Sequence, residues 1–220
     1  MPCPEIIFVL GLQKTGLGSL ATMFEKVGYY RTRSRRASQV RNRTLKEVIA
    51  GKQPDLNTYF SGDTLFIDWP APLLYKEAYQ RFGDRARFIL SMRSSPDKWV
   101  ESLKTHSLSF QPKQNKHQII YGFKYPRGHE KEHISYYEKH KEEARKFFAS
   151  QGADDLLCEV CIEDTSSVQD MMGFLGLEDL EFNHEHANTG KYRLKKFFIR
   201  KKYNNFVIKI DRLFAKSRPP

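Results

Sequence analysis

Cysteine is scarce in this chain of 220 residues, which has only three. Cys3, Cys158 and Cys161 are too few for a disulfide framework, so a fold held together by disulfides is excluded. Cys158 and Cys161 have the spacing of a metal or redox motif, but no second such pair and no suitably spaced histidine pair accompanies them. We therefore expect no metal site and interpret both cysteines as small side chains near a buried strand.

Long apolar runs are also missing from the sequence. No run approaches the ~20 residues that a membrane-spanning helix needs. The first run, at 6–10, is short and follows Glu5, so it fits a buried strand better than a secretory signal. These two absences lead us to expect a protein of a cytoplasm-like compartment.

Hydrophobic residues make up 40% of the chain and aromatic residues 13%, enough for one sizeable domain or two small ones. Short apolar segments alternate with segments of helical periodicity. This alternation predicts an α/β fold of three layers, in which helices flank a central, mostly parallel sheet. Strands are predicted at 5–10, 64–67, 87–92 and 156–162, and helices at 17–27, 71–82, 96–104, 131–150 and 168–175.

Two polar stretches interrupt this pattern. Residues 31–62 are basic and rich in turn residues, and we predict an irregular excursion with one short helix around 45–50. Residues 107–128 contain Gln, Lys, Gly and Pro and are predicted to form a long surface loop, a kind of segment that is often functional.

The net charge of +11 is unevenly distributed. Residues 191–220 hold eleven Lys and Arg and one acid, so this segment carries most of the excess positive charge. Apolar residues recur through 192–214 at three- and four-residue steps, which predicts an amphipathic helix. Both this segment and a second basic cluster suit anionic partners. The second cluster consists of Arg31, Arg33, Arg35, Arg36, Arg41 and Arg43.

The segment that joins the first strand to the first helix is rich in glycine, and this order of elements is typical of phosphate-binding units. Gly11 and Gly16 have the spacing of the nucleotide triphosphatase loop, but Leu17 and Gly18 follow where that loop has a lysine and a hydroxyl. Lys14 lies inside the loop instead. Its charge, the backbone N–H groups and the helix N-terminus can hold an oxyanion, whereas the usual residues for metal-assisted phosphoryl transfer are missing.

This loop resembles that of the P-loop sulfotransferases, in which a Lys or Arg precedes the second glycine and a Ser or Thr follows it. The matching residues are Gly11, Lys14, Thr15, Gly16, Ser19 and Leu20. Leu17 and Gly18 depart from the Thr-rich pair that is usual there, which removes hydroxyl donors. The resemblance implies that the loop binds the phosphosulfate of 3′-phosphoadenosine 5′-phosphosulfate (PAPS) through Gly11, Gln13, Lys14, Thr15, Gly16, Leu17, Gly18, Ser19 and Leu20.

A second segment resembles the part of these enzymes that grips the 3′-phosphate of PAPS. A strand ends at Arg93, and Ser102 lies on the helix that follows. The resemblance assigns the 3′-phosphate to these two residues, and a surface ion pair is the alternative interpretation of Arg93. Their interval is one residue longer than in many members, so Ser94 or Ser95 could share the role. The sequence Asp-Trp-Pro at 68–70 further resembles an element of members that act on small molecules or carbohydrates.

The resemblance covers about residues 5–190, which predicts a sulfotransferase domain at 1–190 and a basic amphipathic segment at 191–220. It implies in-line transfer of a sulfuryl group from PAPS to a hydroxyl or amine of an acceptor, with adenosine 3′,5′-bisphosphate (PAP) as the product. Lys14 would stabilise the charge that develops on the leaving oxygen.

A general base has to take the proton of the acceptor. Asp68 is the first candidate because it ends a strand beside the expected cleft, and a helix N-cap is an equally good interpretation of it. His106 is the second candidate. His140 is interpreted as a structural residue that makes a hydrogen bond from a helix face.

Two other functions stay open at this point. The first is a nucleotide or small-molecule kinase on the same loop architecture, which the missing lysine and hydroxyl disfavour. The second is a non-catalytic basic protein that binds a membrane or nucleic acid, because aromatic residues lie among the cations of 192–214. A terminal helix that packs on the core and exposes a solvated basic face is the alternative for this segment.

The expected partner of the enzyme is a small-molecule or glycan acceptor. The arginines at 31–43 follow the first helix, where acceptor-binding segments often lie in this family, so we expect them to help bind an anionic acceptor. Peripheral contact of residues 192–214 with an anionic membrane is a further expectation, and nucleic acid is the less favoured partner.

Overall fold

A computed structural model describes residues 3–109, 116–178 and 198–216. These residues form two compact units. The first unit contains 3–94 and 139–178, and the second contains 95–109, 116–138 and 198–216. The predicted boundary between residues 190 and 191 lies outside the described residues.

The first unit is built on a sheet of four strands. They are β1 (Ile6–Val9), β2 (Leu65–Phe66), β3 (Ala86–Met92) and β4 (Leu157–Cys161). All pairs are parallel, and the order across the sheet is β2-β1-β3-β4. The parallel sheet confirms the predicted α/β class, and it brings the carboxyl ends of the strands to one edge.

The helices follow the predicted order, and those predicted from strong periodicity are within a few residues of their predicted bounds. The helix predicted at 71–82 differs from its prediction, because a short 3₁₀ helix at Ala71–Leu73 precedes the α-helix, which begins at Tyr75. The α-helices are α1 (Leu17–Lys26), α2 (Arg35–Ile49), α3 (Leu56–Tyr59), α4 (Tyr75–Phe82), α5 (Pro96–Ser107), α6 (His117–Tyr121), α7 (Glu130–Ser150), α8 (Thr165–Phe174) and α9 (Phe198–Lys216).

Alternate strand residues face opposite sides of the sheet, and helices cover both sides. On one side, Phe8 and Phe88 pack with Phe148 of α7. On the other side, Ile7 belongs to a cluster with Phe24 of α1. All five side chains are fully buried. The sheet is therefore the middle of three layers, as predicted.

The prediction for residues 31–62 was wrong in one respect, because helix α2 is much longer than the short helix expected there. The hydroxyl of Ser34 accepts a hydrogen bond from the N–H of Ala37 and caps the helix at its start. Thr44 and Leu45 are the buried residues of this helix. Because so few buried residues lie among the many arginines of this segment, its hydrophobic periodicity was too weak to predict the full length of the helix.

The second unit has an aromatic centre. The ring of Trp99 on α5 stacks on Tyr137 of α7, with 4.5 Å between the ring centroids. The predicted loop at 107–128 contains helix α6, and its residues 110–115 lie outside the described part. Nowhere in the described ranges does a helix combine the length and the apolar character that a membrane span requires.

Candidate functional site

The loop between β1 and α1 runs closely against the end of β3. A Cβ atom added to Gly11 would lie 1.8 Å from the Oγ atom of Ser91 and 2.6 Å from its carbonyl oxygen. Such distances do not occur between real atoms, so only glycine allows this approach. Ser91 is itself buried. It was not predicted as a site residue, although a lone hydroxyl in an apolar strand was a signal for it.

Thr15, within the loop, also contacts Ser91. Its side chain is fully buried, and its hydroxyl donates a hydrogen bond to the carbonyl of Leu12 at 2.7 Å. The same oxygen shares a hydrogen bond of 2.7 Å with the hydroxyl of Ser91. The Thr15 side chain therefore shapes the loop.

The loop enters α1 through left-handed backbone. Lys14 has φ of 74° and Gly16 has φ of 92°. Gly16 is the N-cap, so no side chain caps α1, and its first turn contains no acidic residue. The N–H groups of Ser19 and Leu20 donate to the carbonyl of Gly16, so the earlier N–H groups of this turn and the positive end of the helix dipole are the ones suited to an anion. Leu17, Gly18, Ser19 and Leu20 form this first turn, and Gln13 precedes Lys14 in the loop.

Gly16 also lies against the end of β4. A Cβ atom added there would lie 1.8 Å from Cδ1 of Ile162. The two glycines of the motif are thus fixed by different neighbours, Gly11 by β3 and Gly16 by the residue after β4. Ile162 was not predicted as a site residue, and its apolar side chain gave no signal of a role near the loop.

Arg93 follows β3 and forms an ion pair with Glu163, which follows β4. The other carboxylate oxygen of Glu163 accepts hydrogen bonds from the N–H and the hydroxyl of Ser94. Burial alone would raise the pKa of Glu163, but the Ser94 hydrogen bonds and the Arg93 charge lower it below its ordinary value. Met92 and Cys161 are paired in the parallel register, so the adjacency of the residues after them follows from the topology. Sequence reasoning missed Glu163 because that register was unknown.

Asp68 follows β2 and has φ of 66°. Among the non-glycine residues that the structure describes, this left-handed conformation is found at Lys14 and Asp68. Strained backbone of this kind is concentrated at functional sites. The Asp68 carboxylate accepts a hydrogen bond from the N–H of Trp69 at 2.9 Å. The N-cap interpretation was wrong, because the short helix that follows has Pro70 as its cap and no side-chain cap bond.

The remaining predicted residues lie on helices. The ring Nε2 of His140 donates to the carbonyl oxygen of Leu10 at 2.8 Å, which confirms its structural interpretation. Burial lowers the pKa of His140, although this hydrogen bond opposes the effect. Ser102 and His106 are both half-buried on α5 of the second unit. The hydroxyl of Ser95 caps that helix by accepting the N–H of Lys98.

Comparison with known proteins gives one family. The sequence model of the family described as "Sulfotransferase domain" matches residues 6–192, which is most of the chain. The matched range includes the loop after β1, Asp68, Arg93 and Ser102. No curated protein matches the sequence.

The contact at Gly16 yields a prediction about stability. Gly16→Ala and Gly28→Ala both place alanine at a left-handed position, with φ of 92° and 96°, which costs about 1–2 kcal/mol in each case. An added Cβ at Gly28 meets nothing within 4 Å. Overpacking against Ile162 should therefore destabilise Gly16→Ala by a further ~1–3 kcal/mol in urea unfolding. Adding Ile162→Ala should recover part of this difference, and equal destabilisation by the two alanines would contradict the packing described.

Proposed function

Because the chain belongs to the sulfotransferase-domain family, we propose that it uses PAPS to sulfate a hydroxyl or amine of a small-molecule or glycan acceptor. The observation that carries this proposal is the loop between β1 and α1. It holds Lys14 in left-handed backbone before a helix that no side chain caps. Membership of the family supports sulfuryl transfer in general, and the loop supports a donor with a phosphate at its reactive end.

The residues of the first unit fit such a donor. When bound, PAPS supplies the sulfuryl group: the acceptor oxygen bonds to sulfur while the bond from sulfur to the 5′-phosphate oxygen breaks, and PAP leaves with that electron pair. Lys14 and the loop N–H groups stabilise the charge on the leaving oxygen. Arg93 holds the 3′-phosphate through its fork of donors, oriented by Glu163. Ser102 on α5 belongs to the second unit, and its role at the 3′-phosphate stays a prediction from the family resemblance.

Asp68 is proposed as the general base that takes the acceptor proton. It is half-buried and follows β2, and β2 pairs with the strand that leads into the loop. One of its carboxylate oxygens holds the N–H of Trp69, which fixes the orientation of the group. The hydrogen bond to one oxygen leaves the other oxygen in a fixed orientation, in which it can accept the proton of the acceptor. His106 on α5 is the second candidate for this role.

The compartment proposed for this activity is the cytoplasm. All three cysteines are free, and Cys158 and Cys161 lie on the same strand, β4. The pKa of Cys158 is raised to about 11, mainly by burial, and this keeps the thiol protonated and inert. Free cysteines that form no disulfide are typical of a reducing compartment.

Ligand-induced stabilisation separates this proposal from a kinase. PAP should raise the melting temperature at concentrations at which AMP and Mg-ATP do not, because only PAP has a 3′-phosphate. PAP at 100 times its Kd should raise the free energy of unfolding by about 2.7 kcal/mol. Arg93→Ala should remove the preference for PAP over AMP, which we expect to be about 10- to 100-fold.

Arg145→Ala is the matched control, since Arg145 is another arginine of the first unit that pairs with a glutamate, Glu159 on β4. It should leave the preference for PAP unchanged. Stronger stabilisation by Mg-ATP than by PAP would overturn the sulfotransferase proposal in favour of a kinase.

Lys14→Asn tests the catalytic role of the loop. Asparagine tolerates left-handed backbone, so this variant removes the charge without adding strain. We expect turnover with labelled PAPS and a reactive acceptor to fall by about 100- to 1000-fold, with a small change in melting temperature. Lys14→Arg should keep a large part of the activity. Unchanged turnover in Lys14→Asn would exclude Lys14 from catalysis.

A further inference from the structure

A pocket of about 230 Å³ lies beside β2 in the first unit. Its apolar floor includes Leu65, Phe66 and Ile67, which are almost fully buried. Ile67 immediately precedes Asp68, and β2 pairs with β1. The floor of the pocket therefore ends at the proposed general base, on the strand next to the one that leads into the donor loop.

The wall of this pocket has an excess of positive charge. Arg31, Arg36 and Arg41 line it, together with the carboxylate of Asp63. Arg41 and Asp63 lie 3.9 Å apart, and their side chains are only 15% and 11% exposed. Asp63 also accepts hydrogen bonds from the N–H and hydroxyl of Thr32. Burial, and then the charge of Arg31, lower the pKa of Arg41, so an anion would relieve the crowding of like charges.

The arginines of this region differ in their partners. Arg33 pairs with Glu25, and Arg43 lies near Glu47, both on the surface. By contrast, neither Arg31 nor Arg36 forms an ion pair with any residue that the structure describes. Arginines of this kind at the wall of a pocket suit a carboxylate, sulfate or phosphate, which the guanidinium group binds with two hydrogen bonds.

Tyr59 contributes a phenol to the lining of the pocket. Its side chain is buried. Burial is the main cause of its raised pKa, and the charges of Arg31, Arg41 and Asp68 also act on it.

We propose that this pocket binds the acceptor, and that the acceptor is a small molecule with an apolar body and an anionic group held by Arg31 and Arg36. The inference rests on the proposed sulfotransferase function for the role of the bound molecule. The apolar floor takes the body, and the hydroxyl or amine to be sulfated lies toward Asp68. A volume below the ~300–1,000 Å³ of drug-sized sites favours a compact acceptor.

Binding of small probes tests this proposal. Benzoate and phenyl phosphate are compared with uncharged benzamide by calorimetry, with PAP added to fill the donor site. At least one of the two anions should bind at least tenfold more tightly than benzamide. Arg36→Glu should remove this preference. Arg35→Glu is the matched control, because Arg35 is the adjacent exposed arginine and does not line the pocket.

The results separate the pocket from the donor site. Anion preference that depends on Arg36 but not on Arg35 supports the pocket, even if PAP fails to stabilise the protein and the sulfotransferase proposal falls. Stabilisation by PAP without any anion preference, or equal losses in Arg35→Glu and Arg36→Glu, would overturn the pocket proposal alone. Benzoate and phenyl phosphate together show which anionic group is preferred.

Helix α9 carries an independent second inference. It packs within the second unit through Asn204: the side-chain N–H of Asn204 donates to the carbonyl of Leu108, and its side-chain carbonyl accepts a hydrogen bond from the Tyr125 hydroxyl. Ile208 is buried on the same side. The helix thus packs within its unit, as the packed alternative expected, but it exposes apolar side chains where that alternative expected a basic face.

The predicted apolar stripe of α9 points away from this packing. Ile199 is 82% exposed, Tyr203 50% and Phe206 61%. Their spacing of four and three residues places them on one face of the helix. Lys202 and Lys209 are exposed beside this face. Large apolar side chains next to cations are the pattern of helices that lie in a membrane interface.

We propose that this face of α9 docks on an anionic lipid surface. Six Lys and Arg against one Asp in 198–216 give the charge complementarity to an anionic lipid surface. Phe206, Tyr203 and Ile199 would enter the headgroup region. A polynucleotide could also bind the cations, but an exposed isoleucine would contribute less to binding a polynucleotide than to binding a lipid surface.

Vesicle flotation of the full chain tests this docking. Phosphatidylserine vesicles should bind the protein and phosphatidylcholine vesicles should not. Ile199→Ser with Phe206→Ser should reduce binding at least tenfold, whereas Tyr30→Ser with Ile49→Ser, at exposed positions of the first unit, should not. Absence of binding to phosphatidylserine, or equal loss in both double variants, would overturn the proposal. So would tighter binding of oligo(dT) than of vesicles.

Discussion

The loop after β1 keeps its conformation only while its backbone lies against the end of β3. Gly11 leaves no room for a side chain beside Ser91, and Thr15 bonds to the same serine. This contact joins residues 76 positions apart in the sequence. It holds Lys14 in a backbone conformation that lysine does not prefer locally. The position of the cation is therefore determined by packing, and local preference would place it elsewhere.

Parallel strands explain why the other polar groups collect near this loop. Asp68 follows β2, Arg93 follows β3 and Glu163 follows β4, all at the carboxyl edge of the sheet. Open α/β sheets bind ligands at this edge, since the strands end there and loops replace hydrogen-bonded backbone. Arg93 would be a surface cation without Glu163, which orients its guanidinium and lowers its freedom. The site is thus a consequence of the topology together with a few polar residues placed after the strands.

Sequence patterns were sufficient for the parts of this site that are local. Strand, loop and helix around Lys14 follow from a short apolar run, spaced glycines and helical periodicity. Ser91 and Glu163 could not be found in the same way, because their partners are distant in the chain and depend on strand order and register. Helix α9 shows a further limit: its apolar period predicted an amphipathic helix but left open which side would pack, and a polar residue, Asn204, anchors the helix through two hydrogen bonds.

Charge is a weak guide to ligands until the partners of each charged group are known. Six arginines between 31 and 43 look alike in the sequence, yet the fold gives some of them carboxylates and leaves Arg31 and Arg36 at a pocket wall without an ion pair among the described residues. An ion pair at the surface contributes little and attracts little. A guanidinium that lines a pocket and has no carboxylate partner is better placed to bind an anion. The position of these two arginines at the pocket is the basis for the anion-binding role proposed for them, which net charge alone could not suggest.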